Sequence, residues 1–392
     1  MELSFDYLLW CFLALAVALI YILSFRFIKV PDPSKPPLPP GNYGWPVFGE
    51  SIEILKLFRY GKGIEFFKTR MSKHNKNIFK TSLMGEKTIV FCGAAGNKHL
   101  FTSEKQSVIT CWPKDFKKLF GLTKCARRDC EDWAGRDQVL ALPLVKKYAF
   151  WIVCEVFTGI NDSNWQSKFL KEFYILLDDE EGRLFTDEEI ANNIIILMHA
   201  GHETSSSMMM VIKYLAETPE CYRRVLEEQR EIAMSKGRGE LLNKDDLQKM
   251  KYSWNVVSEV LRLWPPVLGT FRQAIKDFTD AGFSIPKGWK IWWNPYSTHM
   301  NEEYFPDPYR FDPSRFERGA PAPYAYVPFG GGPRMCPGRE FARVEILVFM
   351  HNLVWRFRWE LVFPEEKISI DPMPVSPKGL PIYLYRSLLS HA

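Results

Sequence analysis

Eleven residues near the carboxyl end, Pro328-Phe-Gly-Gly-Gly-Pro-Arg-Met-Cys-Pro-Gly338, set one cysteine, Cys336, among glycines and directly ahead of a strongly helical stretch. A sulfur at the start of a helix meets unpaired backbone N–H groups and the positive end of the helix dipole. That environment is expected to favour thiolate over thiol. The glycines allow the backbone to come close to a flat, bulky partner. Arg334, two residues earlier, is placed to pair with a carboxylate on such a partner. Other uses of the segment compete. A phosphate loop would need Lys-Ser/Thr after the glycines, and none follows. A nucleophilic cysteine would need a base, and the spacing assigns none. A lone cysteine is also often a buried structural residue.

Other groups add weaker signals. Ala200-Gly-His-Glu-Thr204 falls midway along a long helical pattern. Gly201 costs about 1 kcal/mol there relative to alanine, so a gap for a small ligand or close helix packing must explain it. Thr204 can hydrogen-bond a ligand or its own backbone. His202-Glu203 does not complete a zinc helix, because Ser206 occupies the second histidine position. Glu259 and Arg262 lie three residues apart on a predicted helix, a spacing that more often marks a surface pair. A proline-rich loop, Phe305 to Phe316, follows and holds Arg315. Leu268-Gly-Thr-Phe-Arg-Gln-Ala274 reads as a buried strand.

These residues need elements to hold them. The pattern predicts a helix from Ser51 to about His74, then two strands, Phe79 to Gly85 and Thr88 to Cys92, across a tight turn. Thr186 and Glu189 form a capping box for a helix reaching Glu217, roughly 45 Å long. A further helix is expected from Lys244 to Leu263, stopped by Trp264-Pro-Pro266. Short strands lie around Phe283 to Trp293. A last helix runs from Glu340 to Arg356, with Ile346, Leu347, Phe349, Met350 and Leu353 inward. The expected fold is mostly α with a small β-sheet.

The chain has 392 residues, 46% of them apolar and 15% aromatic, enough for one large core. A net charge of +5 gives no case for nucleic acid. The 8 cysteines are scattered, which suits reduced thiols facing the cytosol. Tyr7 to Phe25 is uncharged for 19 residues, with Arg26, Lys29 and Lys35 after it. This reads as a single-pass anchor with the bulk of the chain cytosolic. A cleaved signal peptide fits less well, because no basic segment precedes the apolar run. The organisation expected is an anchor over 1–25, a proline-rich linker over 26–50 and a catalytic domain over 51–392.

The Phe329, Gly332, Arg334, Cys336 and Gly338 spacing resembles the haem-binding loop of the cytochrome P450 family. Ala200 to Thr204 resembles that family's oxygen-activation motif. The strings Leu38-Pro-Pro-Gly-Asn-Tyr-Gly-Trp-Pro-Val-Phe-Gly-Glu50, Phe79 to Gly85, Phe91 to Lys98 and His351 to Glu360 are similar to plant pentacyclic triterpenoid oxidases of the β-amyrin 28-oxidase type, with taxane hydroxylases as relatives. The resemblance implies the fold of that family and haem (heme b) with Cys336 as axial thiolate. It implies Arg272 and Arg334 at the propionates, and proton relay by Glu203 and Thr204. Glu259, Arg262 and Arg315 would form a buried charge network, and Ala200, Gly201, Val267, Leu268 and Gly269 would face substrate.

It further implies a terpenoid oxidised with O2 and with electrons passed from NADPH by a cytochrome P450 reductase, at the endoplasmic reticulum membrane. Two departures stand out. The stretch from Phe120 to Trp133 matches poorly, and the segment after Phe173 that roofs the pocket in the family is short here, so the domain is incomplete near 121–185. A non-catalytic haem or lipid binder, and a haem-thiolate isomerase or dehydratase, are therefore the rival readings.

Overall fold

A computed structural model describes residues 36–45, 48–103, 106–110, 138–142, 144, 187–237, 240, 242–371 and 373–386. The expected anchor, the Thr186 cap and the two departures after Phe120 and Phe173 lie outside the described residues. Among the described residues, no helix is long and apolar enough to cross a membrane.

Two helices, α1 (Ser51–Arg59) and α2 (Gly63–Lys73), replace the single one expected to His74. Gly61 divides them at φ +68, a left-handed conformation that glycine takes without strain, and a side chain there would strike the Ile368 carbonyl. β1 (Ile78–Leu83) and β2 (Glu86–Phe91) pair antiparallel across Met84-Gly85, both at positive φ. Such a two-residue turn matches the natural twist of the strands. α3 (Gly93–Thr102), β3 (Val108–Thr110) and β4 (Gln138–Leu140) follow.

The long helix, α4 (Asp187–Glu217), has 31 residues. Every residue from Ser205 to Lys213 is buried, so this stretch is enclosed on all sides. α5 (Pro219–Met234) packs beside it. The helix expected from Lys244 to Leu263 is two, α6 (Lys244–Lys249) and α7 (Lys251–Leu263), parted at Met250. The break has a cause. The Glu228 carboxylate on α5 accepts from the Tyr252 and Ser253 N–H groups at 2.7 and 2.9 Å, so α7 starts with its amide donors already satisfied.

β5 (Thr270–Ala274), β6 (Phe278–Asp280), β7 (Phe283–Ile285), β8 (Lys290–Trp293) and the one-turn α8 (Tyr296–His299) lead to the Cys336 loop. After it come α9 (Arg339–Arg356), β9 (Phe357–Leu361), β10 (Ser369–Ile370), β11 (Pro374–Val375) and β12 (Pro381–Arg386). The main sheet has strand order β1-β2-β8-β5-β3, with β2 and β8 parallel. A smaller sheet has order β4-β12-β9. The largest apolar cluster draws on α4, α5, α7 and α9. The expected inward residues of α9, Ile346, Leu347, Phe349, Met350 and Leu353, are all buried.

Candidate functional site

The Cys336 loop is a short backbone lattice. Gly330 N–H donates to Val327 O (3.0 Å), Met335 N–H to Gly332 O (3.1 Å) and Cys336 N–H to Phe329 O (2.9 Å). α9 begins immediately beyond, with Gly338 as its cap and the Gly338 carbonyl accepting from Ala342 N–H at 2.8 Å. Phe329 packs its ring against the main core. Two of the glycines are required by a neighbour within the fold. A side chain on Gly332 would lie 2.1 Å from the Phe101 carbonyl, and one on Gly331 would overlap the Phe101 ring. The loop is therefore seated on the end of α3, and Gly332 also needs its φ of +68.

Cys336 is exposed, as is every residue from Gly332 to Pro337, although buried Val327 and Ala342 flank the segment. Desolvation by the surrounding chain pushes the Cys336 thiol up, the Gly338 N–H opposes this, and the Glu203 carboxylate raises it further. A haem iron held by this sulfur would add positive charge beside it and favour the thiolate.

On α4, Ala200 is exposed, and Gly201, Glu203 and Thr204 are half-buried. The Thr204 hydroxyl lies 2.8 Å from the Gly201 carbonyl and 2.9 Å from Glu345 Oε2 on α9. A hydroxyl has one hydrogen, and an ionised carboxylate and a carbonyl both only accept. The geometry is satisfied when Glu345 is protonated and donates to Thr204, which in turn donates to Gly201. Burial pushes the Glu345 carboxyl up to about 8, with the Thr204 bond opposing. Glu345 Oε1 has no hydrogen-bond partner among the described residues. Sequence reasoning missed Glu345. Its signal was a carboxylate interrupting the apolar run that follows it, on the inward face of α9.

Arg272 on β5 is buried, its Nη1 donating to Thr270 Oγ1 at 2.7 Å, and the same oxygen accepts from Trp293 Nε1 at 2.9 Å. Arg334 is exposed on the loop. Val267 is exposed. Leu268 packs partly into the cluster around Phe66 and Trp292, and its carbonyl accepts from Asn294 Nδ2 at 2.7 Å. Gly269, at φ +101, leaves no room for a side chain against the Trp293 carbonyl.

The structure brings Glu259, Arg262 and Arg315 together. Arg262 is fully buried and binds Glu259 through two nitrogens at 2.7 and 2.8 Å. Arg315 Nε reaches Glu259 Oε1 at 3.3 Å, and Asp312 N–H donates to the same oxygen at 2.9 Å. Arg262 also donates to the carbonyls of His299 and Pro308 at 2.8 and 2.7 Å. Every charge in this network has partners, the condition under which a buried ion pair is tolerated.

The donor set fits a haem iron. A single exposed thiol sits at a helix start, with an exposed arginine on its own loop, and Glu203 on α4 lies close enough to act on it. No cluster of three or more His, Cys, Asp or Glu that could hold a bare metal ion occurs among the described residues. One sulfur suffices where a macrocycle supplies the remaining ligands.

Comparison with known proteins points the same way. The Cytochrome P450 family model matches residues 144–384. Cytochrome P450 716A75 of Maesa lanceolata is 41% identical over 441 aligned positions, covering 89% of this chain and 91% of that protein. Beta-amyrin 28-monooxygenase of Kalopanax septemlobus is 41% identical, covering 95% of this chain and 96% of that protein. A solved structure, retinoic acid bound cyanobacterial CYP120A1, superposes with a TM-score of 0.73 at 26% identity, covering 90% of this chain and all 100% of that one. With the long helix, the buried charge network and the exposed thiol in their places, the chain belongs to the cytochrome P450 monooxygenase family, whose haem iron is held by a cysteine thiolate.

Proposed function

We propose that this protein oxidises a pentacyclic triterpenoid in a monooxygenase reaction, with Cys336 as the axial ligand to haem iron. The carrying observation is the exposed Cys336 thiol, whose residue's backbone N–H donates to the Phe329 carbonyl, on a loop that leads straight into α9. Similarity to beta-amyrin 28-monooxygenase supports the substrate class. When bound, haem supplies oxygen activation at iron.

The chain's own residues do the rest. Arg272 and Arg334 pair with the propionates. Thr204, flanked by Glu203 and by protonated Glu345, holds a proton beside the site where oxygen is reduced. Ala200, Gly201, Val267, Leu268 and Gly269 face substrate. Electrons come from NADPH through a separate cytochrome P450 reductase.

The protein works at the endoplasmic reticulum membrane. The uncharged run from Tyr7 to Phe25 in the sequence supports this reading, and so does an apolar surface on the described residues. Trp45, Phe48, Ile52, Leu55 and Met84 are all exposed. They are gathered where the Glu50 and Met84 N–H groups bond across to Ser82 O and Ser51 Oγ, at 2.9 and 2.7 Å. Alignment with the Maesa protein runs over 441 positions, more than the 392 residues of this chain, so that protein carries segments this chain lacks.

The test is co-expression with a plant reductase. The reduced carbon-monoxide spectrum is recorded first, and a panel of triterpene skeletons is then assayed with and without NADPH. A thiolate-type Soret band with NADPH-dependent oxidation of a pentacyclic skeleton supports the assignment. A normal band with no product from any skeleton would turn it toward a haem binder without this activity.

A further inference from the structure

His299 is fully buried at the end of α8, and sequence reasoning gave it no role. Its ring lies between two elements that must stay in register. Nδ1 is 3.2 Å from the carbonyl of Arg262, the cation of the charge network. Nε2 is 2.9 Å from the Val327 N–H, at the head of the loop that carries Cys336. The assignment of protons follows from these partners. A nitrogen that receives an N–H must offer a lone pair, and one that faces a carbonyl must carry hydrogen. Only the neutral ring protonated on Nδ1 satisfies both.

The connection continues into the loop. Val327 O accepts from Gly330 N–H, and Phe329 O accepts from Cys336 N–H. The ring is held in plane by Tyr326, stacked at 5.4 Å, and Tyr326 in turn bonds the Ser258 carbonyl on α7 at 3.1 Å. Arg262 also binds the His299 carbonyl at 2.8 Å, so residue 299 is gripped through both backbone and ring. Burial and the Arg262 charge hold the imidazole neutral, its pKa lowered to about 3.

We propose that His299 is a positioning residue for the thiolate: a neutral imidazole splint that fixes the start of the Cys336 loop to the end of α7. The consequence for Cys336 rests on its assignment as axial ligand; the splint itself does not. If the loop slides at Val327, the Phe329 carbonyl moves, and with it the amide that orients the sulfur. Groups that orient a metal ligand in this indirect way typically change metal affinity by about 10- to 100-fold when removed.

The experiment uses the full chain, loaded with haem, and three substitutions. His299→Gln places an amide oxygen near the Nε2 position and keeps an acceptor for Val327. His299→Asn places its amide near the Nδ1 position, keeping a donor for Arg262 and losing the loop contact. His299→Phe keeps the ring stack and loses both bonds. The reduced carbon-monoxide spectrum is read for the thiolate-ligated fraction, and haem retention is measured against apomyoglobin.

The expected result is near-normal thiolate ligation for Gln and about tenfold faster haem loss for Asn and Phe. Hydrogen exchange of the haem-free protein supplies a second readout. The amide at Val327 should exchange faster in Asn and Phe, with α7 amides unchanged. Equal behaviour of Gln and Asn, or wild-type spectra and exchange in Phe, overturns the proposal. So does a uniform rise in exchange across all segments, which is the mark of packing alone. Should Phe fail to fold, the Gln and Asn pair decides. Should the wild type show no thiolate band, the ligand assignment fails while the exchange comparison still decides the splint.

Discussion

The two sides of the candidate site are built on opposite rules. On the Cys336 side, Glu259, Arg262, Arg315 and His299 are buried or nearly so, and their charges and ring nitrogens are matched by named partners. On the α4 side, Glu345 Oε1, Ser205 Oγ and Ser207 Oγ are buried with no partner among the described residues, and Thr204 lies between the Gly201 carbonyl and Glu345. A fully satisfied polar network stiffens a core, whereas a partly satisfied one is costly and must have a use. The first side sets a sulfur in place. The second leaves polar atoms that can change partners, as the proton-relay role proposed for Glu203 and Thr204 would require.

Substitutions can break this contrast, and the largest effect is expected at the sulfur. Cys336→Ser should abolish the thiolate-type carbon-monoxide band altogether while far-ultraviolet circular dichroism stays native. A serine variant that keeps the band would remove Cys336 from the ligand assignment. Next comes Glu259→Ala, which strands two arginines, one fully buried. A loss of about 3–5 kcal/mol is expected in urea denaturation, and a loss below about 1 kcal/mol would mean that this side is not the rigid one.

A pH series sharpens the contrast on the other side. The Glu345 carboxyl titrates at about 8 in the folded chain, against 4.5 for an ordinary glutamate. Between those values the folded protein holds the extra proton, so stability falls as pH rises through the window and levels off above about 8. The expected loss is of the order of 2–4 kcal/mol, and Glu345→Gln should flatten it. An unchanged slope in the Gln variant would assign the titration elsewhere. The smallest effect is expected for Thr204→Ala, about tenfold in product formed per NADPH consumed, with the carbon-monoxide spectrum unaltered. Equal coupling in the two proteins would leave Thr204 a helix residue bonded to its own backbone.

Much of the catalytic frame is legible in residue type and spacing alone. The Cys336 loop, the long helix to Glu217 and the inward face of α9 announce themselves in that way, whereas the charge network was implied only by the family resemblance, since the spacing of Glu259 and Arg262 more often marks a surface pair. The differences between expectation and fold are local and have local causes. Periodicity carries one helix through Gly61 and another through Met250, because it does not register a left-handed glycine or a carboxylate arriving from a different helix. Spacing also shows the helix start beside Cys336 but not the Glu203 carboxylate that the fold brings near it.

Covalent sequence alone determined which atoms were available: one cysteine ahead of a helix, glycines where no side chain fits, a glutamate and an arginine one turn apart. Tertiary packing decided which of them meet. Thr204 finds Glu345 across 141 residues, and the Val327 amide finds His299 across 28. Short-range spacing is set by helix and strand geometry. Contacts of that range depend on how buried surfaces of separate elements fit against one another.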